Sequence, residues 1–307
     1  MCRWGVLVLV GGLVTLLGVA SGTEPAGVLV EAQGQVQIRR ARTARWFAAR
    51  VNMPLYSGDT VRVGHDSHAA IWFPDGTLRR LKAGARWTVQ KQNKQRPCMW
   101  QELWVSLRHR FRPTPEKSLT AVAAARTWLK TNKAGLIALA PRNSRVLDSR
   151  PQFDWQPVPG AQGYRITIGF FDAAPATWET IVKSPPFRYP SDAPTLTPGK
   201  VYLWKVEAIG ATGGDSAWFT VVPPAEARDI CFTLQRLRQQ GINPSAYAVM
   251  AASFLRSRQC YSDGIHLIWQ ILGRSPQDPA VQTALAELYD LVGLSGHPAP
   301  INPVPSL

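Results

Sequence analysis

The sequence predicts a multidomain chain, mainly β with a C-terminal α region, and three observations carry that expectation. Apolar residues alternate at a two-residue period before residue 98 and again between 141 and 222, whereas after Pro223-Pro224 their spacing becomes helical. At 307 residues the chain has room for two or three such units, each burying a core of its own. The expected division is an export segment over 1–22, a small β-domain over 26–98, a basic helical linker over 99–140, a β-sandwich over 141–222, helical hairpins over 225–294 and a Pro-rich tail over 295–307.

The first segment opens on Arg3, runs apolar from Val6 to Val19 and ends on small residues at Gly18, Ala20, Ser21 and Gly22. A basic start, an apolar run of this length and a small-residue cut site describe a secretory signal peptide, removed after Ala20 or Gly22. The alternative is an uncleaved inner-membrane anchor, because Gly5 to Gly22 approaches the roughly 18 to 20 residues that span a bilayer. A periplasmic or secreted protein is therefore expected. Cys2 precedes the apolar run, which is the wrong place for a lipid-bearing cysteine.

In the β-domain, Val61 and Val63, then Ala69, Ile71 and Phe73, then Leu78 recur at period two, so each set lies on one face of a strand. Asp75-Gly76 closes a hairpin between the last two sets, since this pair tolerates positive φ at small cost. Gly58, Asp59, Val61, Val63, Ser67, Asp75, Gly76, Thr77 and Leu81 together resemble the FecR-type periplasmic domain over about residues 26 to 98. That resemblance implies an envelope module and implies no chemistry. FecR-type regulators also pass receptor occupancy to a sigma factor. Only about three residues precede the apolar run here, too few to bind one, so anchored signalling is kept only as the alternative function.

The net charge of +15 is segregated. Thirteen basic residues stand against five acidic ones over 23–98, and nine against two over 99–145, while the rest of the chain beyond 145 is close to neutral. A basic half joined to a neutral half is expected to face something anionic: a cell-wall or membrane surface, or an acidic envelope protein. Export disfavours nucleic acid. Within the linker, Trp100, Leu103, Trp104 and Leu107 form an amphipathic stripe followed by Arg108, Arg110 and Arg112, and a second helical run is expected from Leu119 to Leu129. The stripe either lies on a membrane surface or docks on a neighbouring domain, docking being the expected outcome for two turns. The candidate anionic contacts are Arg79, Arg80, Arg108, Arg110 and Arg112.

From 141 to 222 the alternation of Tyr164, Ile166 and Ile168, and of Tyr202, Trp204 and Val206, reads as half-buried antiparallel strands. Trp155 on an early strand, Gly160-Ala-Gln-Gly163-Tyr164, and Leu196-Thr-Pro198-Gly199-Lys-Val-Tyr202 resemble a fibronectin type III domain, the last matching its tyrosine corner. Pro185, Pro186 and Pro190 imply short or edge-like central strands. The helices expected at 225–240, 245–257, 264–272 and 279–292 resemble fewer than two tetratricopeptide units, through Ala252, Leu255, Gly264, Ile268, Ile271 and Leu285-Ala286 with Tyr289.

Chemistry is sparse. His65, Asp66 and His68 form the tightest group of acid-base residues and are expected to be an exposed turn rather than metal ligands. There is no G-x-S-x-G, no H-E-x-x-H, no phosphate-cradling glycine loop and no C-x-x-C. Cys231 and Cys260 are a candidate disulfide in an oxidising compartment. The function expected is a non-catalytic exported protein, without cofactor or metal, that binds or spaces envelope partners.

Overall fold

The computed structural model describes residues 24–90, 98–110, 135–170, 178–273 and 278–295. Its first unit holds eight short strands: β1 (Gly27–Gln33), β2 (Val36–Arg39), β3 (Trp46–Ala48), β4 (Met53–Leu55), β5 (Thr60–Val63), β6 (His68–Trp72), β7 (Leu78–Leu81) and β8 (Arg86–Thr88). They pair into two antiparallel sheets of order β4-β1-β6-β7 and β3-β2-β5-β8. Leu29, Ile38, Val61, Val63, Ile71 and Phe73 fill the space between them, which is the face the period-two reading assigns inward. Asp59, 1% exposed, is an acceptor and not a reactive group. Its carboxylate takes the N–H of Tyr56 at 2.9 Å and of Ala41 at 3.3 Å, and pairs with Arg40 at 2.5 Å. The Gly-Asp step thus fixes the entry to β5 by satisfying backbone donors that no strand partner reaches.

The alternate residues of β1 and β6 are buried as well. Val28, Val30, Ala70 and Trp72 face a second core, covered by α1 (Cys98–Arg110) and by α2 (Pro224–Arg238) and α3 (Pro244–Ser257). The sheet of β1 and β6 is therefore a middle layer with apolar side chains on both faces. Trp72 meets Trp100 at 5.8 Å and 70° and Trp104 at 6.0 Å and 38°. The tryptophan stripe is docked in a core.

The second β unit comprises β9 (Ile137–Ala140), β10 (Ser144–Val146), β11 (Gln152–Gln156), β12 (Gly163–Phe170), β13 (Trp178–Val182), β14 (Phe187–Arg188), β15 (Val201–Ile209) and β16 (Gly214–Val221). A five-stranded sheet β10-β16-β15-β12-β13 packs on a three-stranded sheet β14-β11-β9, and all pairs are antiparallel except β10 with β16. Phe153, Trp155, Ile166, Tyr202, Trp204 and Phe219 lie between the two layers. The Tyr202 hydroxyl accepts the Thr197 N–H at 2.7 Å, which is the bond a tyrosine corner makes. A fibronectin type III-like sandwich follows from these two features. The proline-bearing middle gives a five-residue edge strand, β13, and a two-residue one, β14. One boundary differs: β9 falls within the span 99–140 expected to be linker, yet it pairs with β11 through Ala138 opposite Trp155. Alanine and leucine favour a helix locally, and burial against Trp155 overrides that preference.

The last unit adds α4 (Tyr261–Leu272) and α5 (Pro279–Val292) to α2 and α3. Asn243 caps α3 and Asp278 caps α5 with side-chain oxygens, each ahead of a proline at the first helical position. The helical layer is tied to both β units. Arg142, 2% exposed, donates to the Val292 carbonyl at 3.2 Å and pairs with Asp215 of the sandwich at 2.8 Å. On the other side Arg80 donates to the Gln240 carbonyl at 3.0 Å, and Gln240 Nε2 donates to the Gly76 carbonyl at 3.0 Å. The expected linker helix at 119–129, the tail and the export segment lie outside the described residues.

Gly76 has two reasons to be glycine. Its φ is +82°, and a Cβ there would stand 2.3 Å from the Trp100 indole nitrogen. Gly84 shares the conformation at φ +76° but faces open space. Gly76→Ala is expected to cost about 2–4 kcal/mol, and Gly84→Ala about 1 kcal/mol. Denaturant melts of the two variants check this, and equal losses would remove Trp100 from the account.

Candidate functional site

The arginines singled out in the sequence are not brought together. Arg79 lies over the Trp87 ring at 4.9 Å, Arg80 is committed to the Gln240 carbonyl, and Arg108 pairs with Glu24 at 2.9 Å. Arg79 and Arg80 are neighbours on β7, so they point to opposite faces. The Arg110 side chain and all of Arg112 lie outside the described residues.

A different arginine group assembles on the outer face of the β3-β2-β5-β8 sheet. Register aligns Ala48, Gln37, Arg62 and Arg86 in one row across the four strands, and Trp46, Arg39, Thr60 and Thr88 in the next. The guanidinium carbons of Arg62, Arg39 and Arg86 stand 4.6, 5.3 and 5.4 Å from the centre of the Trp46 ring. Arg62 also donates to the Gln37 amide oxygen. The indole gathers three cations whose strands are about 4.8 Å apart, and its π cloud offsets part of their repulsion. Among the described residues none of the three is ion-paired. Sequence reading missed this face because the three positions are far apart in the chain and only the strand register joins them.

A second feature is a cleft of about 520 Å³ between the sandwich and the helices. Asp148 and Arg188 line it from the β side, and Arg238, Tyr247, Asp263 and His266 from the helices. Burial pushes His266 down to about 4, so its imidazole is neutral at pH 7, and its Nε2 has no hydrogen-bond partner among the described residues. Burial raises Asp263 to about 7, although its carboxylate accepts the Leu147 N–H at 3.2 Å. Both groups line the cleft. The cleft thus holds a buried acid and a neutral base.

The His65, Asp66 and His68 turn is held by Ser67, which accepts the Gln35 N–H at 2.8 Å, while His68 faces Glu31 at 3.0 Å. No group of three or more His, Cys, Asp or Glu placed to hold a metal ion occurs among the described residues. The candidate pair Cys231 and Cys260 is not bridged in this structure: both thiols are free, Cys231 exposed and Cys260 buried.

The fold defines a mainly β multidomain protein with a C-terminal helical region and an arginine-rich sheet face. No family model matches the chain, and no curated protein matches it. Among solved structures, the crystal structure of the chicken CNTN1 FN1-FN3 domains is similar over 65% of this chain, with 12% identity and a TM-score of 0.23. The chain spans 57% of that structure's length.

Asp263 gives a pH test. Its folded value lies above the usual carboxyl range, so its contribution to stability is full below about pH 4 and is lost as pH rises through about 7. Asp263→Asn keeps an acceptor for Leu147 and cannot ionise. The variant is expected to be more stable than wild type at pH 8, by on the order of 1–3 kcal/mol, and equal to it near pH 4. Thermal melts at both pH values check the sign.

Proposed function

We propose that this chain is a non-catalytic, exported envelope protein, a binding or scaffolding assembly whose basic first half meets an anionic partner. The single observation that carries this reading is the set of three unpaired arginines gathered on Trp46. Side chains that carry only fold-stabilising charge are ordinarily matched within the fold, as Arg142 is by Asp215 and Arg145 by Glu226. The FecR-type resemblance of the first unit fits the same reading. The motif residues Asp59, Ser67 and Gly76 act by holding turns, which leaves the sheet faces to do the binding. The helical region, tetratricopeptide-like in its spacing, completes a rigid body that presents this face.

Exposed charges act over a Debye length of about 8 Å at physiological salt, so the binding should be strongly salt-dependent. Full-length protein is expected to sediment with purified anionic cell-wall sacculi at 50 mM salt and to be released at 500 mM. Binding that is unchanged between the two salt concentrations, or no binding at either, overturns the reading.

A further inference from the structure

We propose that the outer face of the β3-β2-β5-β8 sheet is a binding site for a linear anionic glycan, with Arg39, Arg62 and Arg86 taking its carboxylate or phosphate groups. The inference rests on the reading that the first half meets an anionic partner, and it places that contact and names its chemistry.

Polar residues fill three of the four strand positions in each row. Gln37, Arg62 and Arg86 lie side by side in one, and Arg39, Thr60 and Thr88 in the other. The inner residues of the same strands are committed to the core, whereas Arg39, Arg62 and Arg86 are exposed. A guanidinium carries planar forked donors that match a carboxylate or phosphate in bidentate fashion. Three of them on one indole hub are already held in neighbouring positions, which lowers the ordering cost of engaging successive charges on a polymer. The turn between β2 and β3 adds Arg42 and Arg45, both exposed, at the edge of the face.

What the face lacks narrows the partner. A bilayer surface is gripped by apolar side chains that enter the headgroup boundary. The exposed large apolar residues of the described chain, Val105, Ile181, Val201, Trp218, Phe232 and Leu291, all lie elsewhere. Single-stranded nucleic acid is held by bases stacked on open aromatic rings. Here the face's one aromatic ring, Trp46, is occupied by guanidiniums. A folded acidic protein would need an apolar or aromatic anchor free at the centre of the contact, and Trp46, the aromatic residue of the two rows, is covered by three guanidiniums. A flexible glycan with regularly repeated charges and hydroxyls needs none of these. Its charges meet the arginines and its hydroxyls meet Gln37 and Thr88.

The test compares full-length wild type with the triple variant Arg39→Gln, Arg62→Gln, Arg86→Gln. A control, Arg165→Gln, Arg228→Gln, Arg236→Gln, removes the same charge from the neutral half. Circular dichroism and thermal melts establish that both variants fold. If the face triple does not, Arg62→Gln alone is carried forward. Affinity is measured for polygalacturonate, with neutral dextran, anionic phosphatidylglycerol vesicles and single-stranded oligodeoxythymidylate as the other ligands. The expected result is salt-dependent binding of polygalacturonate, weakened at least tenfold by the face triple, or severalfold by Arg62→Gln alone, and less than twofold by the control. Equal weakening by both triples means that net charge alone is responsible and overturns the site, as does undiminished binding by the face variant. Either outcome leaves the general reading of a basic, anion-facing half intact. Tighter binding to the vesicles or the oligonucleotide than to polygalacturonate overturns the partner class. Failure of wild type to bind any of the anionic ligands overturns both the site and the reading beneath it.

Discussion

Trp72, Trp100 and Trp104 meet at the point where a strand of the first β unit, an inserted helix and the C-terminal helical layer come together, and the arrangement of the whole chain depends on that contact. Without it the sheet of β1 and β6 would expose one apolar face, which a lone small β-domain cannot leave in water. The helix carrying Trp100 and Trp104 covers that face, and α3 packs over the helix in turn through Met250 and Phe254. Gly76 exists in its present form because the same indole lies over it. The units are joined through a shared core and not strung as separate beads. The sandwich keeps a core of its own and is joined at its margin, chiefly by Arg142, Arg145 and Leu139.

Under the proposed reading, that shared core gives the charge segregation a physical use. The helical layer covers the outer side of the first unit's middle sheet, so the face of that unit turned away from the helices is that of the opposite sheet, where Arg39, Arg62 and Arg86 surround Trp46. Guanidiniums so close together repel, and an aromatic ring reduces but does not cancel the repulsion. A partner that brings negative charge gains from relieving it. The titratable groups of the cleft have the opposite character: burial has driven His266 and Asp263 toward their neutral forms.

Most of the fold was legible because it is written locally. Period-two alternation located β5, β6, β12 and β15, and the proline-flanked helical runs located α3 and α5 within a residue at each end. Asp75-Gly76 and Leu196 to Tyr202 signalled their turns through backbone chemistry that few other residues satisfy. β9 lay inside the span expected to be linker because four residues carry too short a pattern, and its pairing with β11 assigns it to the sandwich. The arginine face was invisible for a related reason. Its members are twenty or more positions apart, and a one-residue change of register would have turned any of them to the other side. The arginines that stood out as neighbours in sequence were instead used within the fold, as Arg80 and Arg108 show.

Hydrogen exchange on wild type and Trp104→Ala tests the shared core most directly. Removing a buried tryptophan costs roughly 3–5 kcal/mol. If the contact joins the units, protection should fall together in β1 and β6 on one side and in α3 on the other, while the sandwich strands β12 and β15 keep theirs. A loss confined to residues 98–110, with β1, β6 and α3 unchanged, would contradict the account.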